Sequence, residues 1–225
     1  MKRRFALSAA IVALVSPALG QEMPANILSA TLREGWRTGA GTQMAALELK
    51  LAPGWKTYWR APGEAGIPPE FDWSGSENIR AVAFHWPRPE VFDLNGMRTF
   101  GYHEALVLPV EISPADAGRP IAVKARIDLG VCNEICVPVS VSVAGELSPG
   151  AAPDPVIGAA LARMPEPAAR AGLAAARCAV EPIRDGLRLT SRLDMPPLGP
   201  EEVAVVELLL GALLYLRIPL AAAGA

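Results

Sequence analysis

Two runs of alternating residues meet at a pair of cysteines, and this pattern constrains the fold more than any other feature of the chain. Ile121, Val123, Ala125, Ile127 and Leu129 fall on one side of an extended backbone, while Lys124, Arg126 and Asp128 fall on the other. Val137, Val139, Val141 and Val143 alternate in the same way with Pro138, Ser140 and Ser142. A period of two over runs of this length reads as two half-buried strands. Joined through residues 130–136, they make a β-hairpin with Cys132 and Cys136 at or near its connection.

The same periodicity recurs upstream. Ala45, Leu47, Leu49 and Leu51 alternate with Ala46, Glu48 and Lys50, and Pro53-Gly54 closes that strand with a turn. Trp55, Tyr58 and Trp59 follow, and then a breaker-rich loop over residues 61–69. Residues 81–84 and 105–112 read as further strands, the first stopped by Pro87 and Pro89. Pro109 points to an edge strand or a bulge for the second, because proline gives no N–H to a ladder. With 22 Pro, 20 Gly and 6% aromatic residues, the chain suits many short strands and turns. Strands at this spacing without a long helix between them predict an all-β, immunoglobulin-like β-sandwich over residues 21–147.

Past Leu147 the composition shifts. Residues 148–177 form a Pro/Ala-rich linker, within which residues 156–177 have the composition for two short helices broken at Pro165 and Pro167. Residues 178–225 are expected to make an incomplete second β region. Its strands are Cys178-Ala179-Val180 and Leu187-Arg188-Leu189, with Asp185-Gly186 as the turn. Residues 208–216 are nine uninterrupted apolar residues between Glu207 and Arg217, too few to span a membrane. A core strand, a disordered tail and a reading-frame accident all fit that run.

The first twenty residues carry an export pattern. Lys2, Arg3 and Arg4 precede an apolar run over residues 5–15, and Ala18-Leu19-Gly20 offers small residues for cleavage before Gln21. Residues 1–20 are therefore expected to be a signal peptide and the mature chain periplasmic. Its removal leaves 18 Lys and Arg against 23 Asp and Glu, a net charge near −5. A mildly acidic chain without basic runs gives no electrostatic footprint for nucleic acid.

Three cysteines in an oxidising compartment leave at least one without a partner in the chain. On a regular strand Cys132 and Cys136 would lie about 13 Å apart, whereas a disulfide needs Cα atoms within about 7 Å. The reversal demanded by the flanking strands permits the bond. A ring so small contributes roughly 2 kcal/mol by loop entropy, against ~4.7 for a hundred-residue loop. So weak a staple points toward a redox role, although a structural disulfide and a metal site remain alternatives. Metal ligation is disfavoured, since His85 and His103 lie in separate segments and no second close cysteine pair exists. Asp128 and Glu134, the nearest charges in sequence, oppose thiolate formation, so a partner is expected to supply the attacking thiolate. Cys178 reads as a buried small hydrophobe at the start of a strand.

Several strings together resemble one family. They are Pro53-Gly54-Trp55-Lys56-Thr57-Tyr58-Trp59-Arg60, Pro68-Pro69-Glu70-Phe71-Asp72-Trp73, Phe100-Gly101-Tyr102, and Val131-Cys132 with Cys136-Val137-Pro138. This combination, spread over residues 27–147, is similar to the N-terminal periplasmic domain of DsbD/ScsB-type protein-disulfide reductases. The resemblance implies an immunoglobulin-like fold with Cys132 and Cys136 as the exchanging pair. It also implies thiol–disulfide interchange between a membrane-embedded thiol reductase and periplasmic thioredoxin-like proteins, with no cofactor and no small-molecule substrate. Cytochrome c biogenesis and copper tolerance are the wider settings of such relatives. A cap loop covers the cysteines in that family, and the segment 92–102 is the candidate here, with Phe92, Asp93, Gly96, Phe100 and Tyr102; an ordinary surface hairpin is the alternative.

Two departures accompany the resemblance. Three residues separate the cysteines, as in the ScsB-like branch, where the DsbD-like branch has five. The 225 residues hold neither a membrane bundle nor a thioredoxin-like domain. Electron donor and acceptor are then expected to be separate proteins, unless the chain is a shortened relative. The rival functional readings are a secreted interaction module with a static disulfide and a periplasmic copper-binding protein.

Overall fold

The computed structural model describes residues 26–94, 96–199 and 202–207. The export pattern of residues 1–20 and the apolar run 208–216 lie outside them. Ten strands build the main body: β1 (Leu28–Arg37), β2 (Gln43–Leu51), β3 (Lys56–Gly63), β4 (Glu70–Asp72), β5 (Ile79–Phe84), β6 (Glu90–Leu94), β7 (Met97–His103), β8 (Ala105–Pro114), β9 (Ile121–Cys132) and β10 (Cys136–Leu147). They form two antiparallel sheets, ordered β1-β2-β8-β5 and β10-β9-β3-β7-β6, with short β4 on β9. This is the immunoglobulin-like sandwich that the alternating patterns predict.

Its core is the set of inward residues. Ala45, Leu47, Leu49, Leu106, Leu108, Val110 and Ile112 from one sheet meet Ile121, Val123, Ala125, Ile127, Leu129 and Val131 from the other, all nearly inaccessible. Val137, Val139 and Val141 are only half-buried because β10 is an edge strand. The predicted turn after β2 forms at Pro53-Gly54, where Gly54 takes φ +76°. Two details differ from the sequence reading. Ala46 is buried although it faces away from the main core, and the loop predicted from residue 61 begins only after β3 ends at Gly63.

Pro109 corrects a third expectation. β8 is an interior strand, not an edge, and Pro109 stands opposite Ala46 of β2 in regular register. Its carbonyl accepts the His85 N–H at 2.9 Å, so its donorless nitrogen faces that same flank. There β5 has already ended at the pair Phe84↔Val110, and no ladder bond to β2 is lost.

Ala46 is covered by α1 (Pro155–Leu161), whose Ile157 is fully buried against Met44 and Ala46. Asp154 caps this helix by accepting the Val156 N–H at 2.7 Å, and Pro155 suits the first turn. Arg33 on β1 grips Asp154 at 2.7 Å and Glu48 at 2.9 Å, tying the helix to the sheet. The Arg33 guanidinium holds the Glu48 carboxyl below its ordinary range. Burial works against ionisation of Asp154, but the bonds from Val156 and Arg33 outweigh it and hold that carboxyl low as well. A lowered folded-state pKa gives a contribution that is present above the ordinary carboxylate range and lost as pH falls through the lowered value. Asp154→Ala is accordingly expected to cost about 1 kcal/mol at neutral pH. In urea titrations the difference from the parent should shrink in strong acid, and a pH-independent difference would refute the capping role.

Of the two helices expected over residues 156–177, only α1 forms. Past Pro165 and Pro167 the backbone makes turns, with Ala171 N–H on the Pro167 carbonyl, and Gly172 adopts φ +80°. The second β region is a two-stranded ribbon of β11 (Ala175–Ile183) and β12 (Gly186–Asp194), turning at Arg184-Asp185, one residue earlier than expected. Among the described residues no layer packs on this ribbon, and Val180, Leu187 and Leu193 are about half exposed. Cys178 is therefore exposed, which corrects the expectation of a buried residue. Among the described residues no helix is long and apolar enough to cross a membrane.

Candidate redox site

The β9–β10 ladder runs from Ile121↔Leu147 to Cys132↔Cys136 without a break in register. Because the odd-numbered residues of β9 fill the core, Cys132 turns to the outer face of its sheet. Asn133, Glu134 and Ile135 make the connection and leave Cys136 directly opposite, with the two Cα atoms 4.1 Å apart and the sulfurs bonded. The two ends of the bond differ. Cys132 is 1% exposed, whereas Cys136 is open to solvent beside an Ile135 that is half exposed.

β3 supplies the side chains next to the sulfurs. Trp55, Thr57 and Trp59 point inward, so Lys56 and Tyr58 share the outer face with Cys132. The Tyr58 hydroxyl donates to Cys132 Sγ at 2.9 Å and lies 3.4 Å from Cys136 Sγ. Burial pushes this phenol above its ordinary range, so it remains a neutral donor at physiological pH. Lys56 stands in register with Cys132 on one side and with His103 of β7 on the other. The sequence carries part of this signal: the alternation in Trp55-Lys56-Thr57-Tyr58-Trp59 separates an inward Trp55, Thr57 and Trp59 from an outward Lys56 and Tyr58, without saying what that outward pair will meet.

Two segments flank the cysteines on this face. The loop after β3 brings Gly66 against the Tyr58 ring, where an added Cβ would come within 2.7 Å of it, and seats Ile67 on Gly130. Tyr58 is fully buried as a result. The second segment is the β6–β7 hairpin, which contains the five candidate cap residues. Phe92 lies on the outer face with its ring edge-on to His103 at 4.5 Å and the Lys56 ammonium 4.8 Å from its centroid. Asp93 and Gly96 shape the turn, the Asp93 carboxylate accepting the Gly96 N–H. Phe100 and Tyr102 are not on the cysteine face. They belong to the core, where Tyr102 stacks on Trp86 and donates to the Pro87 carbonyl at 2.8 Å.

The negative neighbours weighed from the sequence are partly neutralised. Asp128 is held by Arg126 at 3.2 Å and by the Ser140 hydroxyl, while Glu134 projects from the exposed turn. Lys56 is the positive neighbour that sequence spacing alone did not reveal, because it lies 76 residues away and joins Cys132 only through sheet register.

The sequence profile described as thiol:disulfide interchange protein DsbD, N-terminal, matches residues 34–147. Among solved structures, the N-terminal periplasmic domain of ScsB from Proteus mirabilis is similar at 23% identity and a TM-score of 0.48, over 75% of this chain and 78% of that one. The N-terminal domain of Neisseria meningitidis DsbD in the reduced form is similar at 17% identity and a TM-score of 0.30, over 53% and 84%. No curated protein sequence matches the chain.

Proposed function

Since the chain belongs to the family of DsbD N-terminal domains, a family of thiol:disulfide exchange domains, we propose that it relays electrons through Cys132 and Cys136. The donor is a membrane-embedded thiol reductase and the acceptors are thioredoxin-like proteins of the periplasm, reached after residues 1–20 are removed as a signal peptide. Residues 21–147 are the working domain. The observation that carries this reading is the asymmetry of the bond, with a solvent-open Cys136 joined to a buried Cys132.

Chemically, a partner thiolate attacks Cys136 Sγ, the sulfur it can reach, and forms a mixed disulfide. The intramolecular bond breaks and Cys132 leaves with the electron pair. The Tyr58 hydroxyl stands ready to donate to that leaving sulfur. A second thiol of the partner then attacks its own mixed-disulfide sulfur and releases Cys136. Partner dithiol becomes disulfide, and this chain, with two protons taken up, becomes dithiol. Ile135 beside Cys136 offers an apolar contact for the incoming protein, and Phe92 is the cap residue that a docking partner would displace.

A reduction potential tests the reading. Equilibrated against thiol buffers, the Cys132–Cys136 couple is expected above about −300 mV, in the range of exchanging rather than structural disulfides. A lower value would make the bond a static staple and favour a non-exchanging interaction module.

A further inference from the structure

Lys56 is placed where no structural need puts a lysine. Among the described residues it is the only lysine, arginine, aspartate or glutamate that is buried, at 9% exposure. Its ammonium makes no ion pair among those residues. A shielded charge without a counter-charge is costly to keep, and here it is offset by the face of the Phe92 ring at 4.8 Å. Of the carboxylates near this row, Glu90 is bonded instead to His103 at 3.0 Å, and Glu104 accepts the Gly54 N–H at 3.2 Å. On its other flank Lys56 is paired in register with Cys132. Directly opposed residues carry Cβ atoms about 5 Å apart, well within the sweep of a lysine side chain.

In the disulfide form Cys132 is neutral and gives the ammonium nothing to bind. When the bond opens, the buried sulfur becomes an anion, and burial disfavours an anion that lacks a positive partner. We propose that Lys56 is a positioning residue for the exchange: its ammonium leaves the Phe92 ring and turns to the Cys132 sulfur as that sulfur departs with the electron pair. Lys56 thereby links the aromatic cover to the leaving group. Displacement of Phe92 frees the ammonium, and the freed ammonium favours cleavage toward Cys132. This rests on the exchange reading above. The other ionisable groups around this row are Tyr58 on β3, His103 on β7 with Glu90 on β6, Glu104 just after β7, Glu134 in the turn, and Asp128 on β9 with its Arg126 partner.

The test is a titration of Cys132 by ultraviolet thiolate absorbance in the full chain carrying Cys136→Ser and Cys178→Ser. Adding Lys56→Met should move the titration about one unit toward alkaline pH, a roughly tenfold smaller thiolate fraction below the midpoint. Lys56→Arg should restore the parent curve to within about twofold, since it keeps the charge. Superimposable curves for Lys56→Met and its parent, with circular dichroism unchanged, would overturn the proposal. If Lys56→Met does not fold, Phe92→Leu decides: loss of the ring should shift the titration to lower pH, and no shift rejects the link. No partner protein is needed. The titration can therefore fail while covalent capture at Cys136 succeeds, and the reverse.

Discussion

Cys132→Ser is expected to accumulate a covalent complex between Cys136 and a partner protein, visible on non-reducing gels of periplasmic extract and abolished by dithiothreitol. The lone Cys136 thiolate can still attack the disulfide of an oxidised acceptor and form the mixed disulfide, but with Cys132 gone this chain has no second thiol there to attack Cys136 Sγ and release the reduced acceptor. Cys136→Ser should yield at least about tenfold less adduct, because the remaining thiol is access-limited. Cys132 is 1% exposed and bonded to the Tyr58 hydroxyl at 2.9 Å, whereas Cys136 stands open at the start of an edge strand. Equal capture by both variants would contradict the assignment of Cys136 as the attacked sulfur. No capture by either would remove the exchange function itself.

The largest stability effect is expected within the sandwich rather than at the sulfurs. Ile127 is fully buried on β9, opposite Val141 of β10 and Phe71 of β4. Ile127→Ala should cost about 2–5 kcal/mol, from the lost transfer energy plus the cavity left behind. Val180→Ser, on the ribbon of β11 and β12 where Val180 is 59% exposed, should change stability by less than about 0.5 kcal/mol. Urea midpoints at constant m-value measure both. A Val180 effect as large as that of Ile127 would mean that the ribbon shares the cooperative core.

These outcomes follow from elements of unequal legibility. The hairpin of β9 and β10 was readable because one face is buried along its length and the other is solvated, which writes a clean period of two into the chain. The meeting of Cys132 and Cys136 was readable for the same reason, since local pairing needs no distant information. Pro109 misled because a proline's tolerance depends on which neighbour its nitrogen faces. That depends on where β5 stops, a fact of another segment. The burial of Ala46 and the exposure of Cys178 depend in the same way on whether a further layer is present, and only the fold supplies α1 in one case and, among the described residues, nothing in the other.

The candidate site divides along the same line. The cysteines and the segment of Phe92 were visible in sequence. The chemistry around them comes from β3, which reaches Cys132 through sheet register across more than seventy residues. Alternation in Trp55-Lys56-Thr57-Tyr58-Trp59 marks two faces but does not say which sulfur one of them will meet. Phe100 and Tyr102 lay in the right segment and on the wrong face, because the β7 pleat sends alternate residues into the core.

The sulfur–sulfur bond joins the last of twelve register pairs between β9 and β10. Cutting it opens a ring of only five residues and leaves eleven rungs holding the ribbon shut. Opening and closing that bond therefore asks no element of the scaffold to melt or refold. What changes on cutting it is confined to the five residues of the ring and the groups that touch the sulfurs, Tyr58 first among them.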